Sequence, residues 1–454
     1  MQIKVVAYSE FSPWFLKIFS YYFVYQFMQY IFLFFLGFCA RTIIRIKKPF
    51  VIGVTGTVGK TTITTHIATF LEYEYGKGSV MISPYHYNGE FGLPLSIIGA
   101  RTGGKNPFLW IWVFILAFTR LWRSYPKYLI LEYGIDHPGE MEFLLSIVHP
   151  DIAVISGVAP NHLEQFWTLD AYRNAKLLLW KNTTRLIAYE SLRQYIERDA
   201  LYYSMGGMSD IDASHMHMSV EWVSAQVHVK ESNYSLSIPA FWAYQIENIL
   251  PVYAIAFLLG IDPTHIRKCS QEFLPEAGRS SIIAGKRDSV IIDGSYNGGY
   301  ESICRGVDSI LPFCSSHRIL FFLGDMRELG QYEADIHRSL AEYISEHVHT
   351  NHDIQFYLVW PLMRQYVFDQ LSQHYRVYHS YSSRTMGEYI NTVISGGDEK
   401  PTIIYVKGSQ NTIFLEEGIK KFLAHDRDKK LLCRQSADWM RKKEVFFSQI
   451  EAQS

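Results

Sequence analysis

The stretch that decides the fold is FVIGVTGTVGKTT, residues 50–62, in which an apolar run enters a glycine turn and then a helical sequence that reaches Tyr75. Small residues let the backbone bend around an anion, so that its N–H groups and the helix N-terminus face a phosphate. Lys60 is placed to reach the terminal phosphates, and the Thr61 hydroxyl is placed to bind Mg²⁺. Because Val54 stands where the strict P-loop pattern has glycine, an ordinary P-loop NTPase is not the best match. The stretch predicts a site for ATP or GTP.

Further apolar runs extend this pattern into two series of strands. Residues 128–131 and 152–155 accompany the first strand, and a second series follows at residues 290–292, 319–323, 354–359 and 402–406. Strands that alternate with helices indicate mostly parallel sheets with covered faces. We therefore expect an α/β protein with a central P-loop-type parallel-sheet ATPase domain (49–277) and a C-terminal Rossmann-like α/β domain (278–454). An apolar helical segment (1–48) precedes them, and the charged tail from His425 is expected to be helical.

Length and composition narrow the class of protein. The chain has 454 residues, enough for two or three domains, and its 48% hydrophobic content favours a folded chain. With 43 Lys and Arg against 44 Asp and Glu the net charge is -1, which gives no support to a nucleic-acid partner. The five cysteines form no CxxC pair, so reduced thiols in a cytoplasmic protein fit better than zinc or disulfides.

The N-terminal segment is aromatic and uncharged from Ile18 to Ala40. About 20 helical residues cross a bilayer core, so this stretch is long enough to span one. Basic residues follow from Arg41 to Lys48, which would place the rest of the chain in the cytoplasm, attached to the inner face of the plasma membrane. The alternative is a helix docked on the next domain. A shorter apolar run, residues 107–122, predicts a buried or interfacial helix, and both runs could lie on one membrane-facing surface.

Polar residues follow two of the predicted strands. Glu132 ends the strand at 128–131, and Asn161-His162 follows the strand at 152–155. In open parallel sheets, ligands bind at the carboxyl ends of the strands, so these residues should converge with Thr61. Together they form a candidate Mg²⁺ site, although Mg²⁺ usually prefers oxygen. Taken singly, each of these residues could equally be an ordinary surface-loop residue.

The chain resembles a family, the Mur ligases, and within it the branch that adds D-alanyl-D-alanine to a UDP-N-acetylmuramoyl tripeptide. The matching elements lie in the same order from about Phe50 to Phe422. They are TGTVGKT (55–61), NGEFGLPL (88–95), EYG (132–134), PGEM (138–141), NHLEQF (161–166) with AK (175–176), GR (278–279), DGSYN (293–297), LGDMRELG (323–330) with His337, and VKGS (406–409).

The resemblance implies an ATP-dependent ligase that activates a carboxylate as an acyl phosphate and couples it to an amine in peptidoglycan precursor synthesis. It implies that the ATP phosphates and Mg²⁺ are held around the loop and that adenine lies near Asn248. The implied catalytic residues are Lys60, His162 and Lys176, and the implied metal ligands are Thr61, Glu132, His162 and Lys176, the last as a carbamate. The implied ATP-binding residues are Gly56, Thr57, Val58, Gly59, Lys60, Thr61, Thr62, Asn248, Arg279 and Asp293. The implied substrate-binding residues are Asn88, Asn297, Lys407 and Ser409.

One of these assignments stays open. Lys176 could be an unmodified surface lysine or a direct phosphate contact instead of a carbamate. The partners implied are a carboxylate-bearing peptide precursor and an amino acid or dipeptide, and we expect a monomer.

The chain also departs from the family pattern. Trp242, Tyr244 and Gln245 replace the usual G-x-H before Asn248, Gly294 replaces the second aspartate of D-D-S-Y-N, residues 298–300 replace A-N-P, and Gln410 replaces an arginine. The family's UDP-gripping domain is expected to be absent, because only about 50 residues precede the loop. Three functions therefore compete: a ligase for a UDP-linked peptide, a ligase for a lipid-linked or other polymer substrate, and a non-catalytic nucleotide-binding scaffold. Lys60, Glu132, His162 and Lys176 argue against the scaffold, which would not need all four.

Overall fold

The computed structural model describes residues 32–83, 89–104, 106–158, 163–181, 183–207, 209–242, 244–327, 329–350, 353–396, 400–409 and 413–451. The chain divides into two compact units. The first unit takes in residues 1–212, 228–232 and 248–269, and the second takes in 213–227, 233–247 and 270–454.

The secondary structure alternates between helices and strands through both units. The α-helices are α1 (32–47), α2 (Lys60–Tyr75), α3 (Gly89–Ile98), α4 (Pro107–Arg120), α5 (Glu140–Ile147), α6 (Leu163–Phe166), α7 (Leu169–Lys181), α8 (Tyr244–Glu247), α9 (Leu250–Leu259), α10 (Thr264–Cys269), α11 (Tyr300–Ile310), α12 (Glu333–His347), α13 (Pro361–Met363), α14 (Asp369–Leu371), α15 (Ser383–Gly396), α16 (Leu415–Ile419) and α17 (Ala437–Glu451). The strands are β1 (Phe50–Thr55), β2 (Val80–Met81), β3 (Tyr128–Glu132), β4 (Ile152–Ile155), β5 (Arg185–Tyr189), β6 (Leu201–Met205), β7 (Ile211–Met218), β8 (Val223–Val229), β9 (Ser232–Ile238), β10 (Ser281–Ala284), β11 (Val290–Gly294), β12 (Arg318–Gly324), β13 (Ile354–Val359), β14 (Arg376–Ser380) and β15 (Thr402–Lys407).

The first unit is built on a parallel sheet with the order β2-β3-β1-β4-β5-β6. Its central strands are almost wholly buried, as expected for strands covered on both faces. Val54 pairs with Glu132 and Thr55 pairs with Ile155, so β1, β3 and β4 end at one edge of the sheet. The predicted parallel sheet and its three strands are confirmed.

Strands β7, β8 and β9 follow β6 in the sheet order, and the boundary between the two units passes through all three of these strands. Buried and partly exposed residues alternate along β8, which is the period-2 pattern of a strand covered on one face. These three strands were not predicted from the sequence.

The second unit contains a sheet with the order β10-β11-β15-β12-β13-β14, in which only the β10–β11 pair is antiparallel among the described strands. The four strands predicted for the C-terminal half all lie in it, which confirms a Rossmann-like α/β arrangement. The expected helix in the charged tail is α17.

Helix α1 carries the described part of the apolar N-terminal segment. Leu36, Ala40 and Ile43 are fully buried in the core of the first unit, so α1 is docked on it. The remainder of the predicted stretch, residues 18–31, lies outside the described residues. Within the described part of the chain, no helix combines the length and apolarity that a bilayer crossing requires. The run at 107–122 forms α4, as predicted, and one face of α4 is exposed.

Candidate functional site

The phosphate loop lies between β1 and α2 and is shaped by two glycines. Gly56 and Gly59 have φ values of 140° and 85°, which residues other than glycine rarely adopt. A Cβ on Gly56 would lie 1.8 Å from Ser156 Oγ, and one on Gly59 would lie 2.5 Å from Asn248 Oδ1. Lys60 Nζ donates to Gly56 O at 3.0 Å, so the lysine folds over the loop. With the first turn of α2 behind it, the loop has the backbone geometry that binds phosphate.

The end of β4 holds this loop in place. Thr57 N donates to Gly157 O at 3.0 Å, and Ser156 N donates to Thr55 O at 2.9 Å. Ser156 Oγ donates to Val58 O at 2.6 Å. Ser156 is therefore a supporting residue that the sequence analysis missed; a serine directly after the predicted strand was its only signal.

Glu132 and Thr61 meet at the carboxyl edge of the sheet, as predicted. Thr61 Oγ1 donates to the buried Glu132 Oε2 at 3.2 Å. A hydroxyl and a carboxylate are the oxygen donors that Mg²⁺ prefers, so this pair fits that ion. Asn161 and His162 lie outside the described residues, and within the described residues no three His, Cys, Asp or Glu side chains are grouped to hold a metal.

Lys176, on α7, is buried beside the same loop. Its Nζ lies 4.6 Å from the centre of the Tyr172 ring, and Tyr172 is hydrogen-bonded to Thr57. Burial, reinforced by the like charge of Lys60, lowers the pKa of Lys176 to about 7, while Asp136 and Glu140 act in the opposite direction. The fold therefore gathers Lys60, Thr61, Glu132 and Lys176 in the first unit.

The loop that carries Asp136 is organised by Glu140, the first residue of α5. Glu140 Oε2 accepts hydrogen bonds from Asp136 N at 2.7 Å and from His137 N at 3.2 Å. Glu140 lies in one of the motifs of the resemblance, but no role was predicted for Asp136 or Glu140. Nothing in the sequence shows that α5 and α7 bring these two acids toward Lys176.

Asn248 is the one residue implied near adenine, and it lies beside Gly59, as noted above. The implied substrate residue Asn88 lies outside the described residues. Thr57, Val58 and Thr62 belong to the loop and the start of α2, where Val58 is exposed and Thr62 is buried.

In the second unit, Arg279, Asp293 and Lys407 lie together at a sheet edge. Asp293 is fully buried and accepts a hydrogen bond from Ser295 N at 2.9 Å, and burial raises its pKa to about 6. Burial and then the charge of Arg279 lower the pKa of Lys407 to about 8, while Asp293 opposes that shift. The Arg279 guanidinium lies 4.5 Å from the centre of the Tyr296 ring.

The loops that contain Asn297 and Ser409 are in direct contact. A Cβ on Gly298 would lie 2.8 Å from the backbone of Gly408, so these neighbouring loops pack backbone to backbone. Asn297 Oδ1 accepts from Gly298 N at 2.9 Å, and Ser409 N donates to Asp325 O at 3.0 Å. Five resemblance-implied residues lie in the second unit. Four of them lie at or just beyond the ends of β11 and β15, namely Asp293, Asn297, Lys407 and Ser409, and the fifth is Arg279.

Asp325 and His337 of the LGDM element shape the backbone around them. The Asp325 carboxylate accepts from Leu362 N and Met363 N at 3.2 and 2.8 Å, which caps the start of α13. His337 Nε2 accepts from Met326 N at 3.0 Å, and its Nδ1–H donates to Glu333 O at 2.7 Å. These two residues therefore position a loop through hydrogen bonds.

Together, the fold and the site define a class: a two-unit α/β protein with a phosphate loop, an adjoining oxygen-donor pair and a buried lysine at one sheet edge. Residues 54–256 match the Mur ligase middle domain. The chain thus carries a Mur ligase middle domain, and the resemblance stated from its motifs is confirmed.

Individual relatives agree with this family. The UDP-N-acetylmuramoyl-tripeptide--D-alanyl-D-alanine ligase of Haemophilus influenzae is 24% identical over 308 residues, covering 66% of this chain and 62% of that protein. The ligase of the same name from Escherichia coli is 22% identical over 310 residues, covering 64% and 61%. The chain spans about three fifths of the length of these curated relatives.

Solved structures show the same fold. A crystal structure of MurF ligase from Thermotoga maritima in complex with ADP has a TM-score of 0.68 at 21% identity, covering 88% of this chain and 84% of that one. MurF from Acinetobacter baumannii has a TM-score of 0.66 at 18% identity, covering 82% and 77%.

Proposed function

We propose that this chain is an ATP-dependent carboxylate–amine ligase that adds a dipeptide to a UDP-muramoyl tripeptide during peptidoglycan precursor synthesis. The observation that carries the proposal is the position of buried Lys176 beside the phosphate loop, where it lies with Lys60 and the Thr61–Glu132 pair. The names of the relatives supply the substrate class, UDP-N-acetylmuramoyl tripeptide and D-alanyl-D-alanine.

ATP is the proposed phosphoryl donor. The loop from Gly56 to Thr62 would bind its phosphates through backbone N–H groups and Lys60, with Asn248 beside the loop for the base. Arg279 and Asp293 are further proposed nucleotide-binding residues. Mg²⁺ would be held by Thr61, Glu132, His162 and carbamylated Lys176, and when bound it offsets negative charge on the phosphoryl group.

The proposed carbamate on Lys176 is consistent with its burial. With a pKa of about 7, a large share of Lys176 is the neutral amine at neutral pH. That amine attacks CO2, forms an N–C bond and releases one proton, which leaves a carboxylate-like anion. The neighbouring Lys60 ammonium would stabilise this anion, and its oxygens are ligands that Mg²⁺ prefers.

The proposed reaction has two steps. An oxygen of the substrate carboxylate attacks the γ-phosphorus of ATP, and ADP leaves to give an acyl phosphate. The amine nitrogen then attacks the acyl carbon, phosphate leaves, and the amine loses a proton. Asn88, Asn297, Lys407 and Ser409 are proposed to bind the peptide precursor and the incoming amine. We further propose a cytoplasmic monomer with a domain boundary at Gly278-Arg279.

The experiment that tests this function is phosphate release from ATP and Mg²⁺ by purified protein, scanned over pairs of carboxylates and amines. UDP-muramoyl tripeptide with D-alanyl-D-alanine is the first pair. Release that requires both partners, with formation of the amide seen by mass spectrometry, supports the proposal. ATP binding without release for any pair contradicts it and favours a nucleotide-binding scaffold.

A second candidate function is ligation to a lipid-linked or other polymer acceptor. It is supported by the uncharged aromatic sequence from Ile18 to Ala40 and by the altered loops of the second unit, where Gly294 and residues 298–300 depart from the family. Phosphate release that needs a lipid-linked acceptor and is not seen with the UDP-linked one would replace the first proposal with the second.

The role of Lys176 has its own test. Lys176→Ala should abolish turnover, and bicarbonate or short carboxylic acids should partly restore it by supplying the missing oxygen donors. Turnover close to that of the chain with Lys176 in place would remove the carbamate from the proposal.

A further inference from the structure

Two helices of the first unit present apolar side chains to the outside. On α4, buried Val113 and Ala117 face the core, while Phe108, Trp112, Ile115 and Phe118 are exposed. The exposed positions recur three to four residues apart and so form one face of the helix. A surface helix normally places charged or polar residues on its outer face, whereas residues 107–119 include no charged residue. An exposed apolar face of this kind marks an interaction surface.

Helix α1 adds to the same surface. Leu36, Ala40 and Ile43 are buried, and Phe34, Phe35 and Phe38 are exposed, so α1 is docked on the unit by one face and apolar on the other.

The two helices lie side by side and run in the same direction. Near the start of α1, the Phe32 ring lies 4.5 Å from that of Trp110 and 5.5 Å from that of Phe114. At the end of α1, Lys47 Nζ donates to Arg123 O at 2.7 Å, just beyond the end of α4. The exposed aromatic residues of α1 and α4 therefore belong to neighbouring helices, which we name the α1–α4 face.

The charges in the two segments that carry this face have one sign. Residues 32–48 and 101–127 contain nine Lys and Arg and no Asp or Glu, although the whole chain has a net charge of -1. Exposed Arg45 lies in the last turn of α1, exposed Lys48 follows it, and exposed Arg123 follows α4. Because the helices run in the same direction, these charges lie at the same end of the face.

We propose that the α1–α4 face docks on a bilayer that contains anionic lipids. Aromatic residues prefer the interfacial layer of a membrane, and basic residues beside them are attracted to anionic headgroups. A second copy of the chain fits less well, because it would bring a positive edge against the same apolar face or against another positive edge. The sequence before α1 stays uncharged back to Ile18, so the apolar character of α1 continues in the sequence that precedes it. This inference goes beyond the proposed function and holds whichever acceptor the site takes.

Vesicle flotation of the full chain tests the proposal. The probes are vesicles of phosphatidylcholine alone and of phosphatidylcholine mixed with phosphatidylglycerol. The chain should float with the mixed vesicles and lose most of that binding in high salt. The double variant W112E/F118E should bind at least about tenfold more weakly, since both apolar side chains leave the interface and two like charges are added. Arg45→Ala with Lys48→Ala should weaken binding by about fivefold per removed charge.

A matched control separates this surface from exposed apolar residues in general. Val445 of α17 is 60% exposed, close to the 62% and 63% of Trp112 and Phe118, so Val445→Glu should leave flotation unchanged. Equal thermal melting of all the variants shows that they fold. A chain that stays unbound with the mixed vesicles, or a W112E/F118E variant that binds like the unmodified chain, overturns the proposal. A dimer in solution that W112E/F118E dissociates also overturns it, because the face would then be a self-contact.

Discussion

Two buried lysines, one at the sheet edge of each unit, each lie beside a second cation but differ in the acids that oppose it. In the first unit, the strongest charge acting on Lys176 is that of Lys60, which has the same sign. In the second unit, the strongest charge acting on Lys407 is that of Arg279, again of the same sign, but the acid that opposes it, Asp293, is fully buried, whereas Asp136 near Lys176 is exposed. A pair of neighbouring cations favours the arrival of an anion, whereas a lysine next to a carboxylate is partly compensated within the protein. The first edge is therefore suited to phosphate, and the second carries a fully buried internal counter-charge, Asp293.

The two edges also differ in how far they keep the family's motifs. The loop of the first unit keeps its TGTxGKT pattern, and each of its glycines is required by a close neighbour. In the second unit, Gly294 stands where the family has aspartate, and a Cβ there would lie 2.7 Å from Lys407 Cδ. Lys407 occupies the space that the family's aspartate side chain would enter at position 294. We therefore interpret the glycine at this position as a local repacking around Lys407.

The largest expected effect belongs to Lys60, which tests whether the first edge is the reacting one. Lys60→Met should lower ligase turnover on the order of 10³-fold, because it removes the cation closest to the loop at which phosphoryl charge develops. Phosphate release and nucleotide binding measure the loss. Lys77→Met, an exposed lysine just after the same helix, is the control and should have no effect. Turnover within about tenfold of the unmodified chain would contradict the assignment of the loop.

The next effect tests how the second edge is held. Arg434 donates to Ser295 O and Tyr296 O, at 2.7 and 3.1 Å, and forms a buried ion pair with Glu416 at 2.8 Å. Arg434→Ala should destabilise the second unit by roughly 3–5 kcal/mol, because it leaves a buried carboxylate without its arginine. Lys443, 2.9 Å from Glu416, favours the lower end of that range. Urea denaturation followed by circular dichroism measures it.

The control for Arg434 is a second arginine in the same C-terminal region. Arg441 pairs with Asp438 on α17, and both side chains are 79% exposed. Arg441→Ala should change stability little, since exposed ion pairs contribute little. Equal stability of the two variants would show that the Arg434 network does not hold the loop at Ser295.

A smaller effect tests why the second edge departs from the family. Gly294→Asp should destabilise the second unit by about 1–3 kcal/mol, because the new side chain overpacks against Lys407 and the Val406 carbonyl. Gly299→Asp is the matched control: a Cβ there meets no atom within 4 Å, and an aspartate at this N-cap position of α11 is favourable. Combining Gly294→Asp with Lys407→Ala should recover part of the loss. Denaturation midpoints compare the three variants, and a Gly294→Asp midpoint equal to that of Gly299→Asp would contradict the repacking.

Much of the fold was predictable because parallel strands covered on both faces are continuous apolar runs. The strands at 152–155 and 354–359 match β4 and β13 residue for residue, and the phosphate loop was located by its glycines and lysine. Strands β7 to β9 were missed because polar and apolar residues are mixed in them, as in SNYSLSI of β9, which gives no buried run.

The site was predictable only where the ends of neighbouring parallel strands bring motif residues together. The Thr61–Glu132 contact follows from strand ends that meet at one sheet edge. The closeness of Asp136 and Glu140 to Lys176, and of Asp293 to Lys407, depends on packing between elements far apart in sequence. The same holds for Arg434, which lies 139 residues beyond Ser295 and gives no local signal.

The effect that is smallest over any single pH unit is a pH dependence that distinguishes the two lysines. Burial lowers the pKa of Lys176 from 10.5 to about 7 and that of Lys407 from 10.5 to about 8. Between each lowered value and 10.5, the unfolded chain binds more protons than the folded one, so stability rises with pH, by at most about 1.4 kcal/mol per pH unit for each lysine. In CO2-free buffer with a chelator, Lys176→Met should flatten this rise from about pH 7 for the first unit, and Lys407→Met should flatten it from about pH 8 for the second. Urea denaturation at several pH values, with tryptophan fluorescence and circular dichroism as probes and Lys77→Met as the control, measures both slopes. Slopes unchanged in both variants would mean that folding does not lower the pKa of either lysine, and the contrast between the two edges would then rest on the burial of their acids alone.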